Sequence, residues 1–221
     1  MSKYIFYHIY CNENTECIVK DQVIKILFSG LYDTIDCIYC FLAGSQQYID
    51  IIIKLLQNSG NKFRIEQIGV NDNSYERFTI HKIKNYITEN DKILYIHSKG
   101  VLRNGCQYVV KWRTFMEYFL FRGHKKCIKL LDEYDTVGVE FLNRPFIHYS
   151  GNFWWCRGDY FLKLPDINTL TVTNDRYSYT ENYIGLNNPN GYCFHYSNKD
   201  LYNINIYPSE YVDITPSLFD E

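Results

Sequence analysis

Several signatures of nucleotide and hydrolase chemistry are missing from this chain of 221 residues. No GxGxxG motif follows the first apolar segment, and neither GxxxxGK(S/T) nor GxSxG occurs in the sequence. The usual sequence evidence for a dinucleotide site, a P-loop or a nucleophile elbow is therefore missing. No Asp-x-Asp follows an apolar segment, and the nearest match, Glu133-Tyr134-Asp135, precedes one.

The chain also lacks an excess of one charge and any long apolar run. Its 23 Lys and Arg face 25 Asp and Glu, a formal charge of −2, which argues against a broad cationic surface for nucleic acid. No segment approaches the ~20 apolar residues of a membrane span, and the apolar N-terminus is too short for a signal peptide. We therefore expect a cytoplasmic protein without a nucleic-acid partner or a membrane span.

What is present is the composition of a folded protein. With 46% apolar and 22% charged residues, the chain suits one compact domain. The eight cysteines lie within apolar segments, which predicts buried thiols rather than a disulfide framework. Cys37 and Cys40 have CxxC spacing, but no second CxxC completes a four-thiolate zinc site. We predict no metal site from the cysteines.

Apolar periodicity predicts alternating strands and helices. The strands are 4–10, 35–42, 62–68 and 92–97, and the helices are 17–31, 47–57 and 75–87. Such alternation is typical of a largely parallel sheet covered on both faces. Further on we predict two helices over 107–131 hinged near Gly123, strands at 136–141 and 148–156, and a helix at 158–164, before an irregular C-terminal third. The fold class is therefore α/β, as one Rossmann-like domain.

In open parallel sheets, ligands bind beyond the carboxyl ends of the strands. The fourth strand ends in His97-Ser98-Lys99-Gly100, which puts an imidazole, a hydroxyl and an ammonium where a buried strand meets solvent. Gly100 permits a sharp turn, and Arg103 adds a second cation, so the segment suits a phosphate or diphosphate. The alternative is a solvated strand end with an incidental His and Lys.

A second segment, Ser150-Gly151-Asn152-Phe153-Trp154-Trp155, suits a sugar. Adjacent residues of a strand point to opposite faces, so either Trp154 or Trp155 could face a cleft and pack on a sugar ring. Asn152 offers a donor and an acceptor for hydroxyl groups. The alternative is a core strand with bulky packing, and Gly151-Asn152 is also a common turn pair.

A general base for a sugar hydroxyl requires an ionised carboxylate within hydrogen-bond reach. The candidates are Glu140, Asp159, Asp175 and Glu181, any of which could instead be a surface carboxylate. Glu181 is the first choice because it follows the sugar-binding segment among polar aromatic residues, and Asp159 is the second.

Four short motifs follow one another along the chain: Tyr95-Ile96-His97-Ser98-Lys99-Gly100, then Trp112, Val137-Gly138, and Ser150-Gly151-Asn152-Phe153-Trp154-Trp155. Ser29-Gly30-Leu31-Tyr32-Asp33 precedes them. In this order, over roughly residues 4–185, they resemble the rhamnan synthesis protein F-like glycosyltransferases and their relatives in bacteria and large DNA viruses. The resemblance implies a GT-A fold, a nucleotide-diphosphate-sugar donor and a glycan acceptor in polysaccharide biosynthesis, with hexosyl or deoxyhexosyl transfer.

The resemblance also assigns regions and roles. Residues 1–105 would be the nucleotide-binding half and 106–221 the sugar and acceptor half. The diphosphate would bind His97, Ser98, Lys99 and Arg103; the nucleoside would border His8, Tyr10, Glu76 and Arg77; the sugar or acceptor would lie against Ser150, Asn152, Trp154 and Trp155.

Most GT-A enzymes bind a divalent metal through Asp-x-Asp at the end of the fourth strand, where this chain has His97-Ser98-Lys99. We therefore expect protonated His97 and Lys99 to replace the metal, so that no cofactor is required. The alternative is Mn²⁺ or Mg²⁺ bound by Glu140 or Glu181. Other functions left open are a non-catalytic carbohydrate- or nucleotide-binding domain and, less favoured without a Gly-rich loop, a methyltransferase.

Overall fold

A computed structural model describes residues 1–72, 74–103, 105–170 and 180–212 of the chain. The first half alternates as the apolar pattern predicts. Its strands are β1 (Lys3–Cys11), β2 (Cys37–Gly44), β3 (Phe63–Val70) and β4 (Lys92–His97). The helices between them are α1 (Thr15–Phe28), α2 (Leu31–Thr34), α3 (Gln46–Ser59) and α4 (Arg77–Ile80), the last followed by a 3₁₀ turn at Ile83–Asn85.

The second half is less regular. Its helices are α5 (Gln107–Glu117), α6 (His124–Leu130) and α7 (Gly158–Lys163), with a π-helical turn at Tyr118–Arg122 before α6. Its strands are β5 (Thr136–Gly138), β6 (Phe141–Leu142), β7 (His148–Tyr149), β8 (Trp154–Arg157) and β9 (Gly191–Cys193). Short 3₁₀ turns lie at Ile167–Thr169, Tyr183–Gly185 and Pro208–Glu210.

One seven-stranded sheet runs through both halves in the order β3-β2-β1-β4-β8-β5-β9. Strands β3, β2, β1 and β4 are parallel, and β8 is antiparallel to both of its neighbours, β4 and β5. Strand β9 is parallel to β5, so β8 alone is reversed within this sheet among the described residues. The predicted class, a Rossmann-like α/β domain with a largely parallel sheet flanked by helices and an irregular C-terminal third, is confirmed.

Apolar side chains cover both faces of the sheet. Helices α1, α3 and α5 pack on one face, where Trp155 lies among them, and α4 and α7 pack on the other, beside Trp154. The alternation of side chains along β8 therefore sends the two adjacent indoles into two different cores. Burial of these two layers positions the strand ends that build the site described below.

Four predicted elements differ from the observed ones. The strand predicted over 136–141 ends as β5 at Gly138, and β6 begins at Phe141 in a separate two-stranded sheet with β7, because Glu140 has a φ of +53°. The helix predicted over 75–87 contains only α4 and a 3₁₀ turn, and the hinge predicted near Gly123 is the π-helical turn before it. The strand predicted over 148–156 is two strands, because Gly151 and Asn152 have φ values of +92° and +55° and break the extended backbone. A Cβ at Gly151 would lie 2.6 Å from the sulfur of Met116, so this turn packs tightly as well.

Candidate active site

A cavity opens at the edge of the sheet where β1 and β4 end, with an empty volume of about 880 Å³ that includes its mouth. Residues predicted from the sequence that line it are His8, Tyr10, Glu76, His97, Ser98, Lys99, Arg103 and Glu181. Eight others line it without having been predicted as site residues: Tyr75, Gly100, Val101, Leu102, Val109, Trp112, Thr180 and Tyr202.

The turn after β4 forms one wall of the cavity and is held by hydrogen bonds to the carboxyl end of β1. The Ser98 hydroxyl accepts a hydrogen bond from the Tyr10 amide at 3.0 Å, and the Ser98 amide donates to the His8 carbonyl at 3.0 Å. Gly100 has φ +98°, a conformation that side chains disfavour, so the turn requires glycine here. Ser98 is therefore a buried structural anchor of the turn as well as a lining residue.

Lys99 carries the central positive charge of the cavity. Its ammonium nitrogen lies 3.7 Å from the centroid of the Trp112 ring, a cation–π contact. Burial lowers the pKa of Lys99 to about 8, against the opposing attraction of Glu181 and Glu76. Lys99 is thus a partly desolvated cation facing two carboxylates, and it titrates close to neutral pH.

Two imidazoles line the cavity, and burial keeps both neutral. It lowers the pKa of His97 to about 3, with a further contribution from the Lys99 charge, and the pKa of His8 to about 3. The His97 Nε2 atom lies 3.1 Å from the Gly151 carbonyl oxygen and, in the neutral ring, donates its proton to it. The expectation that protonated His97 supplies positive charge is therefore wrong; Lys99 and Arg103 are the cations of this wall.

Glu76 lies at the base of the cavity rather than at its rim. Its Oε2 atom accepts hydrogen bonds from the Tyr95 hydroxyl at 3.0 Å and from the Asn152 amide nitrogen. The Asn152 side-chain oxygen in turn accepts from the Trp154 indole at 2.8 Å. Burial raises the pKa of Glu76, while these two donors oppose that rise. Asn152 is thus an indirect part of the site, because its side chain holds Glu76.

Glu181 faces Lys99 from the C-terminal part of the chain. The Tyr202 hydroxyl lies 3.4 Å from both carboxylate oxygens of Glu181, and the Tyr202 ring packs edge-on against Trp112. Burial raises the pKa of Glu181, and the Lys99 charge lowers it. A carboxylate with a raised pKa beside a cation is the electrostatic setting expected of a general base near neutral pH.

The second predicted base lies at the wrong edge of the sheet. Because β8 is antiparallel, the residues after it are carried to the amino end of β4, where Lys92 pairs with Arg157. There the Asp159 carboxylate accepts from Arg157 at 2.8 and 2.9 Å, and this pairing lowers the pKa of Asp159. The prediction that Asp159 serves as a base is therefore wrong.

Three further predicted contacts are also wrong. Trp154 and Trp155 are 1% and 0% exposed, so neither indole faces a cleft. Trp155 donates to the Leu120 carbonyl at 3.0 Å, and Trp154 stacks on Tyr95. Arg77 lies outside the cavity lining, and its Nε atom donates to the Asn168 side chain at 3.0 Å.

Ser150 also lies outside the cavity lining, as does Glu140. Both are buried, and the Ser150 amide donates to the Glu140 carbonyl at 3.0 Å. The Glu140 side chain accepts from the Ser197 amide, so it has a structural partner. Asp175 lies outside the described residues. Among the described residues, no group of three or more His, Cys, Asp or Glu side chains is arranged to hold a metal ion, and no helix is long and apolar enough to cross a membrane.

The lining residues missed by sequence reasoning come from separate parts of the chain. Trp112 lies on α5, the helix that follows the Lys99 turn, and it is one of the motifs of the family resemblance. The sequence therefore held a sign that Trp112 belongs to the site. Tyr202 carried none, because its segment has no periodic pattern and the sequence has 22 tyrosines. Only the folded chain brings Tyr202 against Trp112 and Glu181.

Comparisons with known proteins give a family and several distant structural likenesses. A family model described as "Domain of unknown function (DUF8361)" matches residues 6–197. No curated protein matches the chain.

Among solved structures, a 4-diphosphocytidyl-2C-methyl-D-erythritol synthase has 10% identity and a TM-score of 0.44 over all of both chains. The enzyme of that name from Anaerococcus prevotii has 12% identity and a TM-score of 0.42 over 80% of this chain and 81% of its own. The glycosyltransferase GlyE of Streptococcus pneumoniae has 11% identity and a TM-score of 0.42 over 96% of this chain and 54% of its own. Likeness of this degree assigns no activity to the chain.

Proposed function

This chain belongs to the DUF8361 family, and from its own site we propose that it is a glycosyltransferase, one that moves a sugar from a nucleotide-diphosphate-sugar donor to a glycan acceptor. The observation that carries the proposal is a single cavity in which Lys99 and Arg103 face the buried carboxylate of Glu181. Fixed cations suit a diphosphate, and a carboxylate with a raised pKa suits deprotonation of an acceptor hydroxyl. The resemblance to the rhamnan synthesis protein F-like enzymes supports the same chemistry.

The leaving group determines what the cationic wall must do. As the bond between the anomeric carbon and the diphosphate oxygen breaks, its electron pair moves to the diphosphate and negative charge builds there. Lys99 stabilises that charge from a partly buried position, where its attraction is screened less than in water, and Arg103 stabilises it from an exposed one. The partly desolvated ammonium of Lys99 gains an anionic partner when the donor binds, so the donor complex favours the charged lysine.

Glu181 acts on the acceptor side of the reaction. Its ionised carboxylate takes the proton of the acceptor hydroxyl as that oxygen bonds to the anomeric carbon, in an inverting displacement. The Tyr202 hydroxyl bonds to both carboxylate oxygens and orients the group. Tyr10 and Tyr75 line the cavity as well and offer ring surfaces for the nucleoside or the sugar.

A divalent cation fits this set of side chains poorly. The wall that would face the diphosphate presents an ammonium and a neutral imidazole that already bonds to the Gly151 carbonyl. Glu76 and Glu181 are the carboxylates of the lining, and Lys99 lies between them and the diphosphate in the proposed arrangement. We therefore propose metal-independent transfer, with activity that persists in EDTA and is not raised by Mn²⁺ or Mg²⁺.

The test is to incubate the purified protein with a panel of nucleotide sugars and candidate glycan acceptors and to measure nucleoside diphosphate release. The wild type should release the diphosphate, and Glu181→Gln should bind the same donor with little release. Asp159→Asn is the matched carboxylate control and should behave as the wild type. Donor binding by thermal shift with no release from any donor would favour the rival function, a non-catalytic carbohydrate- or nucleotide-binding domain.

A further inference from the structure

Behind the Lys99 turn lies an arginine that is not itself part of the sequence motifs and does not line the cavity. Arg113 is on α5, and only 4% of it is exposed. Its Nη1 atom donates to the main-chain carbonyl oxygen of Lys99 at 2.8 Å. The side chain thus reaches the turn from the protein interior.

The rest of the guanidinium is held by carboxylates from two helices. Its Nη2 atom lies 3.3 Å from Asp21 on α1, and its Nε atom lies 3.4 Å from Glu117 on α5 itself. Lys25 completes the network with a 2.6 Å bond to Glu117. Lys25 also pairs with Asp21, so two cations share two carboxylates, and the Lys99 carbonyl accepts from the Nη1 atom of Arg113, which neither carboxylate contacts.

We infer that Arg113 is a positioning residue for the reaction, holding the backbone of Lys99 so that the ammonium enters the cavity at the diphosphate. This inference rests on the proposed function. The planar fork of arginine can bond to the Lys99 carbonyl and to Asp21 at the same time, whereas lysine presents a single ammonium.

The arginine also contributes to the electrostatics of the turn. The charged and titratable groups that act on Lys99 are Glu181, Glu76, Arg103 and Arg113: the two carboxylates favour its charged form, and the two arginines oppose it. Loss of the Arg113 charge should therefore raise the pKa of Lys99 above about 8. Replacement by lysine retains a charge at this place and should leave that pKa nearly unchanged.

The experiment compares Arg113→Lys with Arg113→Met in nucleoside diphosphate release and in binding of free UDP and GDP. Both variants should lower kcat/KM about tenfold to hundredfold, because displacement of a charged group by about 1 Å can cost that much. The alkaline limb of the kcat/KM profile should move to higher pH in Arg113→Met and stay in place in Arg113→Lys. A residue that only stabilises the fold would not move this limb.

Two controls separate position from stability. Lys25→Met breaks the same network at Glu117 but leaves the Arg113 to Lys99 bond intact, so it should lower the melting temperature and retain kcat/KM. Arg64→Met removes an exposed arginine from the edge strand β3 and should change neither quantity. If Arg113→Lys folds and loses no more activity than Lys25→Met, the inference is overturned.

Failure of the inference differs from failure of the proposed function. If Lys99→Met abolishes diphosphate release while Arg113→Lys keeps full kcat/KM, Arg113 has no positioning role and the enzyme assignment stands. If the wild type releases no nucleoside diphosphate and binds neither UDP nor GDP, the proposed function fails and the inference fails with it.

Discussion

The parallel part of the sheet and its mixed part deliver their loops to the site in different ways. Strands β1 and β4 run the same way, so their carboxyl ends meet at one edge, and His8, Tyr10 and the turn after His97 all line the cavity. In the mixed part, β8 runs backwards and carries its following loop to the opposite edge. The position of a residue relative to a strand predicts its place only when the direction of that strand is known.

The two parts also supply different chemistry. The parallel part provides the cations Lys99 and Arg103 on the turn after β4, together with two imidazoles that burial keeps neutral. The C-terminal part of the chain provides Glu181, which precedes β9, and Tyr202, which follows it, and both line the cavity. In the proposed reaction, one side handles the leaving group and the other the acceptor.

The largest effect is expected at the two predicted bases, Glu181 and Asp159, which lie at opposite edges of the sheet because β8 is reversed. Glu181→Gln should lower turnover by about 10²–10⁴-fold, the range for loss of a general base, with donor affinity retained. Asp159→Asn, at the opposite edge, should retain full turnover. Nucleoside diphosphate release under saturating donor and acceptor measures both. Full turnover in Glu181→Gln would remove the assigned base, and a large loss in Asp159→Asn would mean that the edge opposite the cavity takes part.

The next effect tests the parallel side. Lys99→Met should lower kcat/KM by about 10²–10³-fold, because a donor to the developing negative charge is lost. Its melting temperature should change little, because burial in the folded protein disfavours the charged form of this lysine and lowers its pKa. Lys54→Met, an exposed position on α3, is the matched control and should be neutral in both measurements. A collapsed melting temperature in Lys99→Met would make this lysine a structural residue instead.

The contrast between the two parts also explains what could be predicted from the sequence. Regular apolar runs over β1, β2, β3 and β4 gave the strand positions and, with the rule for parallel sheets, the Lys99 turn as a ligand site. Asp159 was wrongly assigned because a short apolar strand has the same pattern in either direction. The two tryptophans were wrongly assigned for another reason: both faces of the sheet are covered at β8, so the two side chains enter separate cores.

The protonation state of His97 was another feature of the site that the sequence could not predict. His97 at a strand end has the pattern of a phosphate ligand, but its charge depends on desolvation and on the Lys99 charge beside it. Tyr202 was missed for a related reason, because its contact with Glu181 joins residues 21 positions apart in an irregular region. Both properties arise from packing that no local pattern encodes.

The two sides of the cavity should set different limbs of the pH profile of kcat/KM: Lys99 sets the alkaline limb and Glu181 the acid limb. In the free enzyme Lys99 must be charged, and its pKa is lowered to about 8, so kcat/KM should fall about tenfold per pH unit above that value. Glu181 must be ionised, and its pKa is raised, so the acid limb should lie above the usual carboxylate range.

The limbs should also respond to ligand and to mutation. The bound diphosphate favours the charged lysine, so the alkaline limb of kcat should lie at higher pH than that of kcat/KM. In Lys99→Met the acid limb should move to higher pH, since the ammonium that lowers the pKa of Glu181 is gone. If neither the wild type nor Arg103→Met shows an alkaline limb near pH 8, the role of Lys99 is contradicted.

The smallest effect on activity is expected for Trp154 and Trp155, the residues of the mixed part whose side chains lie in the core. Trp155→Phe removes the indole bond to the Leu120 carbonyl and leaves a cavity, which should cost about 2 kcal/mol of unfolding free energy. Its affinity for UDP or GDP should match the wild type, because Trp155 is fully buried. Trp154→Phe should cost a similar amount and also loosen Asn152 against Glu76, so a modest change in KM is expected there alone. Denaturant unfolding and donor titration of both variants measure this difference, and weakened donor binding by Trp155→Phe at unchanged stability would mean that this indole does reach the ligand.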